Sequence, residues 1–357
     1  MEENEELVDI LLTTYNSNQK FLRKQLNSIL EQTHKNIKLI ISDDKSTNPR
    51  VLKTLEQYEK RDNRVIVYAQ PKNLGYNKNF EFLLKQSKAD YIMFCDHDDI
   101  WHKDKVEKSL NKLIEEGVSL VYTNYTQIDE NDKLLKKDYF KYKCMPLIKG
   151  KNNHLAISRY AGLGCSQIFT KEVKEKIIPF KKSVMAHDWL AGFVASELNG
   201  IDYIDNPLFD YRLHTNNVFG GRSLSQNLNR WKENKGKSYE SFLEYRNNVI
   251  DSAYLDGAKM CLDYCENEKD KEFIEKIIKY YENLKKSKYI NFHLIKYFRF
   301  SMLLNINYLF FICFYYKFNI FYCFFYVHHS VSNRIVNWIY FIFFSSNIFR
   351  KALFSAL

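Results

Sequence analysis

Tyr91-Ile92-Met93-Phe94-Cys95-Asp96-His97-Asp98-Asp99-Ile100-Trp101 is an unbroken apolar run, then three carboxylates, then two large apolar side chains. A run so short and continuous is the mark of a strand covered on both faces. Its acids fall where the strand ends. Outward from this stretch the pattern recurs, with strands predicted at Val8–Thr13, Ile37–Ser42, Val65–Ala69, Tyr91–Cys95 and Ser119–Thr123. Helical periodicity lies between them, near Lys20–Thr33, Pro49–Arg61, Tyr76–Gln86 and Lys103–Glu116. From Leu7 to about Thr126 this alternation predicts a parallel α/β sheet, in which ligands bind beyond the carboxyl ends of the strands.

The residues at those ends are chemically informative. Three crowded carboxylates repel one another, and hard oxygen donors on a short turn suit Mg²⁺ or Mn²⁺ shared with phosphates. The plainer reading makes Asp98 or Asp99 the cap of the following helix. Strand two ends in Asp43-Asp44-Lys45-Ser46-Thr47 and strand one in Thr13-Thr14-Tyr15-Asn16. A carboxylate at Asp44 can accept the imide N–H of a pyrimidine while Tyr15 offers a stacking face; equally, Asp44 and Ser46 cap a helix and Tyr15 is a half-buried core ring. Asn73-Leu74-Gly75 puts a helix start, favourable to anions, on the same rim, unless it is a plain turn. Gly-rich dinucleotide and P-loop signatures do not occur, so a nucleotide here is held by side chains and a metal.

A second cluster follows later. His187-Asp188-Trp189 opens an apolar helix near Val184–Leu198, where Asp188 is either a cap or a general base against an aromatic wall. Arg212 and His214 follow the strand-like Pro207–Asp210 at alternate positions, placing both toward a diphosphate or metal unless they are surface or satisfied core groups. Residues 127–160 are a polar, Lys-rich connection.

The chain has 357 residues, 45% hydrophobic and 27% charged, which excludes a disordered chain and a small disulfide scaffold. The net charge of +10 is concentrated at the end: residues 1–275 balance 42 basic against 42 acidic side chains, whereas 276–357 hold 11 against 1. That tail also carries 26 of the 57 aromatic residues, a pattern of membrane surfaces and not of nucleic-acid binding. Its apolar runs are broken by Lys317, and a span needs about 20 apolar residues. Interfacial helices on the cytoplasmic membrane face are therefore expected, with a single span as the alternative. Seven cysteines without a Cys-x-x-Cys pair, and the acidic start MEENEELVDILL, point to a reducing cytoplasmic compartment. Cys261 and Cys265 lack His partners and are expected to pack, not to bind zinc.

Taken in order, these motifs resemble the family 2 glycosyltransferases, enzymes of GT-A fold that move a sugar from a nucleotide diphosphate to an acceptor with inversion. The resemblance covers roughly residues 7–220. It implies a mixed nucleotide-binding sheet flanked by helices, here followed by a helical membrane-associating region. It makes Thr13, Tyr15, Asp44, Asn73, Asp96, Arg212 and His214 donor-binding residues. It also makes Asp96 and Asp98 the ligands of Mg²⁺ or Mn²⁺, chiefly Asp98, and Asp188 the catalytic base. The fuller forms Asp96–Trp101 and Tyr211–Gly220 are similar to bacterial rhamnosyltransferases of surface polysaccharide assembly. Two positions depart from the family: Lys45 replaces the usual Gly, and Tyr76 stands where Arg or a small residue is common. Gln226-Asn227-Leu228-Asn229-Arg230-Trp231 is one residue too long for the Gln-x-x-Arg-Trp of processive synthases, which implies single-sugar addition.

The implied organisation is a catalytic domain over 1–221, in which 1–126 bind the nucleotide and 127–221 the acceptor, then a helical extension over 222–290 and the tail over 291–357. The implied partners are a UDP- or dTDP-linked sugar, a lipid-linked or glycan acceptor and the membrane, with no nucleic acid. Competing readings are a catalytically silent nucleotide- or glycan-binding subunit docked on a membrane, and a sugar-nucleotide pyrophosphorylase, although Thr13–Asn18 lacks the glycines of the latter's phosphate loop.

Overall fold

The computed structural model describes residues 6–143, 147–151, 156–157, 160–214, 247–248 and 251–286. The chain divides into two compact units, Met1–Lys288 and Tyr289–Leu357. The tail expected to associate with a membrane lies outside the described residues, as do Gln226–Trp231, Cys144, Cys313 and Cys323. Among the described residues no helix is long and apolar enough to cross a membrane.

Strands β1 (Val8–Thr14), β2 (Ile37–Asp43), β3 (Val65–Ala69) and β4 (Tyr91–Cys95) form where the apolar runs predict them. Helices α1 (Gln19–Leu30), α2 (Pro49–Arg61), α3 (Tyr76–Gln86) and α4 (Lys105–Glu116) fill the intervals. The helix starts are local chemistry: Asn18 Oδ1 accepts Lys20 N–H, and Asn48 Oδ1 accepts Arg50 N–H ahead of Pro49. The strands are apolar throughout because each face is covered. Val8, Ile10 and Leu12 share a core cluster with Leu22 and Leu26 of α1, Val51 of α2 and Val106 of α4, while Leu11, Ile40 and Phe94 cluster with Phe80, Leu83 and Leu84 of α3. Each such fully buried side chain contributes about 1.5–3 kcal/mol.

The sheet continues differently from the parallel arrangement that the alternation predicts. The fifth predicted strand is β6 (Leu120–Ile128), longer than expected and not adjacent to β4. Between them lies β8 (Gln167–Thr170), antiparallel to both. Beyond β6, β9 (Ile201–Arg212) runs parallel to it, the two-residue β5 (Ile100–Trp101) pairs antiparallel with β9, and β7 (Leu134–Lys136) hangs from β6. The order across the sheet is β3-β2-β1-β4-β8-β6-β9-β5. This mixed sheet is what the family resemblance implies; the periodicity alone missed β8 because a four-residue strand carries no period. β6 crosses residue 126, so the boundary expected there falls inside a strand and the segments on either side share one continuous sheet.

The remaining helices are α5 (Tyr139–Lys143), α6 (Lys171–Ile177), α7 (His187–Glu197), α8 (Asp256–Tyr264) and α9 (Glu268–Lys286). The α8 helix packs on α7, where Gly257 meets the Trp189 ring so closely that a Cβ would sit 2.2 Å from it. Cys261 and Cys265 are free, and Cys261 is fully buried in the core.

Candidate active site

The β1 and β2 ends are tied into one rim. Asp43 accepts from Thr14 Oγ1 (2.8 Å) and from Ser46 Oγ (2.6 Å), and Asn16 Oδ1 accepts the Thr47 and Asn48 N–H groups. Lys45 has φ +63°, left-handed backbone that a non-glycine residue adopts at a cost, which accounts for glycine being the common choice there. Asp44 is buried but does not cap α2. Its Oδ1 accepts Leu74 N–H (2.6 Å), its Oδ2 accepts Gly75 N–H (2.9 Å), and Asn73 Nδ2 donates to the Asp44 carbonyl (3.1 Å). Asp44 therefore holds the Asn73-Leu74-Gly75 loop against the second strand, each carboxylate oxygen retaining a further lone pair. Tyr15 is 49% exposed beside it, a surface ring and not a core one, and Thr13 is half-buried at the strand end.

Following β4, the acid turn separates its three carboxylates by environment. Asp98 is buried, yet His97 and His214 hold its carboxyl below the ordinary value; His214 Nε2 lies 2.7 Å from its Oδ2 and the nearest His97 nitrogen 3.9 Å. Burial, and then the charge of Asp98, push Asp96 up to about 6. Asp99 is completely buried and raised further by burial and both neighbouring charges; its Oδ1 accepts the Arg212 backbone N–H (3.0 Å). Neither Asp98 nor Asp99 caps α4, whose N-cap position is Asp104.

Two buried atoms here, Asp99 Oδ2 and His97 Nδ1, have no hydrogen-bond partner among the described residues. Asp96, Asp99 and Cys165 each offer a ligand atom within 4.8 Å of one another. The carboxylates fit a hard divalent cation. Cys165 does not, because burial keeps its thiol protonated.

Arg212 is where the prediction from sequence is corrected. It is fully buried and does not reach outward to a diphosphate: Nε donates to the Asp98 carbonyl (2.8 Å), Nη1 donates to Asp129 O (3.0 Å) and Asp132 Oδ1 (2.6 Å), and the guanidinium lies 4.4 Å over Phe21. It positions the acid turn. Of the two basic residues after β9's apolar run, His214 is the one whose side-chain nitrogen approaches a carboxylate of that turn.

Asp188 opens α7. Its Oδ1 accepts Trp189 N–H (2.9 Å) and its Oδ2 accepts Gly164 N–H (3.0 Å). Burial raises this carboxyl to about 7; the two N–H groups oppose the shift, and the Asp96 charge adds to it, so the acid turn and the α7 start share one electrostatic environment. Gly164 lies in close approach to this start, since a Cβ would stand 3.2 Å from Asp188 Cβ and 3.3 Å from His187 Nε2, tighter than ordinary contact. His187, stacked 3.9 Å from Phe80, is driven by burial down to about 3 and stays neutral. Asn77 fastens this segment to α3, accepting His187 N–H (3.2 Å) and donating to Met185 O (3.0 Å), while the Tyr76 hydroxyl donates to the same carbonyl (2.6 Å). The departure at Tyr76 thus has a structural use.

Several site residues escaped sequence reasoning. Lys105, fully buried, donates to the Cys165 carbonyl and lies 3.8 Å over Trp101; burial lowers it to about 8, with the neighbouring thiols and carboxyls acting in the opposite sense. One lysine in a helical pattern carries no such signal. Asp129, Asp132 and Asn77 were equally silent.

Residues 9–178 match the family model described as glycosyl transferase family 2. The dTDP-rhamnosyl transferase RfbG of Shigella flexneri is 28% identical over 286 residues, covering 71% of this chain and 92% of that protein. The fold is shared with TarS 1-349 of S. aureus, solved in complex with UDP-GlcNAc (TM-score 0.50, 17% identity, 76% of this chain and 70% of that one). It is also shared with the mannosyltransferase PcManGT of Pyrobaculum calidifontis, solved with GDP-Man and Mn²⁺ (TM-score 0.53, 13% identity, 77% and 69%). With its motifs in order along a mixed sheet, the chain carries a glycosyl transferase family 2 domain over residues 9–178.

Proposed function

We propose that this glycosyltransferase moves one sugar, with inversion, from a UDP- or dTDP-linked donor to a glycan or lipid-linked acceptor in bacterial surface polysaccharide synthesis. The observation that carries the reading is the contrast between Asp188, raised to about 7, and Asp98, held ionised beside two imidazoles. A carboxylate of that basicity suits removal of a proton from an acceptor hydroxyl. The acceptor oxygen then bonds to the anomeric carbon as the bond from that carbon to the diphosphate oxygen breaks on the opposite face. The electron pair leaves with the nucleoside diphosphate, and the proton stays on Asp188. Gly164 N–H and Trp189 N–H orient the carboxylate throughout.

Asp96 and Asp98, with Asp99 adjoining and His214 against Asp98, are the residues that would hold Mg²⁺ or Mn²⁺. Such a cation supplies charge neutralisation for the diphosphate. Tyr15 and Asp44 form the nucleobase end of the site, Thr13 and Asn73 its walls. The UDP or dTDP assignment rests on the imide-accepting chemistry of Asp44, and the rhamnosyl possibility on the RfbG likeness. The tail's basic and aromatic composition supports docking on the cytoplasmic membrane face, where a lipid-linked acceptor resides.

The test is Mn²⁺-supported release of nucleoside diphosphate across a panel of nucleotide sugars, with and without acceptor. Acceptor-stimulated release from a pyrimidine-linked donor is expected. Absence of release from every donor would overturn the reading in favour of a silent binding subunit.

A further inference from the structure

Outside the site, one surface combines exposed apolar groups with unbalanced charge. The ribbon Lys133-Leu134-Leu135-Lys136-Lys137 projects from β6, and Leu134 and Leu135 are 54% and 42% exposed. The ribbon's pairing with β6 shifts register between Gln127 and Ile128, so Leu135 is the extra residue of an irregular, bulged pair, and both leucines are exposed. Beside it on α5, Tyr142 is 54% exposed, with Lys136 Nζ 4.2 Å over its ring.

The acids of this segment are mostly engaged. Asp129 Oδ1 accepts the Asn131 and Lys133 N–H groups, Asp132 pairs with Lys24 and Arg212, and Asp138 pairs with Asn124 and Lys141. Lys133 and Lys137 are exposed against the segment's single exposed acid, Glu130, while Lys141 is exposed but paired with Asp138. The surface is held rigidly from below, because Tyr139 stacks on Tyr125 at 4.4 Å and Phe140 meets Tyr122 edge-on at 5.8 Å.

We propose that this ribbon and α5 form a contact site for an anionic lipid surface, built into the catalytic unit and separate from the tail. Two exposed leucines among lysines on a three-residue, bulged edge strand offer a poor template for a partner strand. A bilayer interface surrounds such a tip, takes the leucines at the acyl boundary, holds Tyr142 among the headgroups and pairs the lysines with lipid phosphates. Arg212 donates to the Asp129 carbonyl and Asp132 carboxylate of the same turn and to the Asp98 carbonyl, so insertion would bring the acid turn close to the membrane. The proposal does not depend on the sugar-transfer reading.

Hydrogen exchange of the full chain, read by mass spectrometry on vesicles of equimolar phosphatidylglycerol and phosphatidylcholine, tests it. Amides of 133–142 should slow by roughly threefold or more, but not on phosphatidylcholine alone. Leu134→Glu/Leu135→Glu should abolish that slowing, without changing protection at Asp188 or any protection in 291–357. Unchanged exchange at 133–142 on the mixed vesicles, or equal slowing on the neutral ones, would overturn the proposal. So would slowing that appears without vesicles and grows with protein concentration, which would identify a second copy of the chain paired along β7.

Discussion

The acid turn after β4 and the start of α7 both present carboxylates at the edge of the same sheet, yet they are built for opposite tasks. Asp98 has His97 and His214 beside it and stays charged. Asp188 has two backbone N–H groups and no cation, so burial prevails and its carboxyl rises to about 7. Neighbours, not residue type, divide the work: one carboxylate is suited to persistent charge and the other to exchanging a proton.

The most severe way to break this contrast is Asp188→Asn, which keeps shape and removes basicity. Transfer should fall by about 10²–10⁴-fold, while calorimetry shows donor binding unchanged; unaltered turnover would remove Asp188 from the base role. At the other pole, His214→Ala removes an imidazole from Asp98. Mn²⁺ affinity, followed by its paramagnetic resonance signal, should weaken by roughly 10–100-fold, and UDP or dTDP binding should become correspondingly insensitive to EDTA. Equal nucleotide affinity with and without chelator in the unaltered protein would count against metal binding at the turn.

A subtler comparison concerns Asp44, whose oxygens both serve the Asn73-Leu74-Gly75 loop. If a remaining lone pair also reads the base, uridine or thymidine diphosphate should bind more tightly than the guanosine form by roughly 1–3 kcal/mol. Asp44→Asn, which retains one acceptor for the loop, should shrink that gap. A preference for guanosine would reduce Asp44 to its structural role.

The smallest effect is in pH. Asp188 acts as a base only when ionised, and its raised value means protonation is half complete near pH 7. Transfer should therefore level off above about 7, decline about tenfold per pH unit just below it, and fall more steeply below about 6, where Asp96 also takes up a proton. Asp98, shifted the other way, stays ionised through that window and adds nothing to this limb. A profile flat from pH 5 to pH 8 would mean that Asp188 has an ordinary carboxyl value or is not the base.

Much of this architecture was legible in the linear order of residues. Apolar runs with helical intervals located β1 to β4 and α1 to α4 because those strands are buried on both faces and their helices carry one apolar stripe. The acids at the strand ends, and Asp188 ahead of an apolar helix, were visible for the same reason: polar groups that interrupt apolar runs stand out. The sequence by itself therefore determined β1 to β4, α1 to α4 and the positions of the candidate carboxylates. Tertiary structure decided what each one does. Partners distant in sequence set the charge state of Asp98 through His214, and burial among them raises Asp188 against the opposing Gly164 N–H. The antiparallel insertion of β8 brought Cys165 and Gly164 to the site, and the burial of Arg212 turned an expected donor contact into a brace. These outcomes depend on desolvation and on hydrogen bonds spanning up to 116 positions of the chain, and no local pattern encodes either.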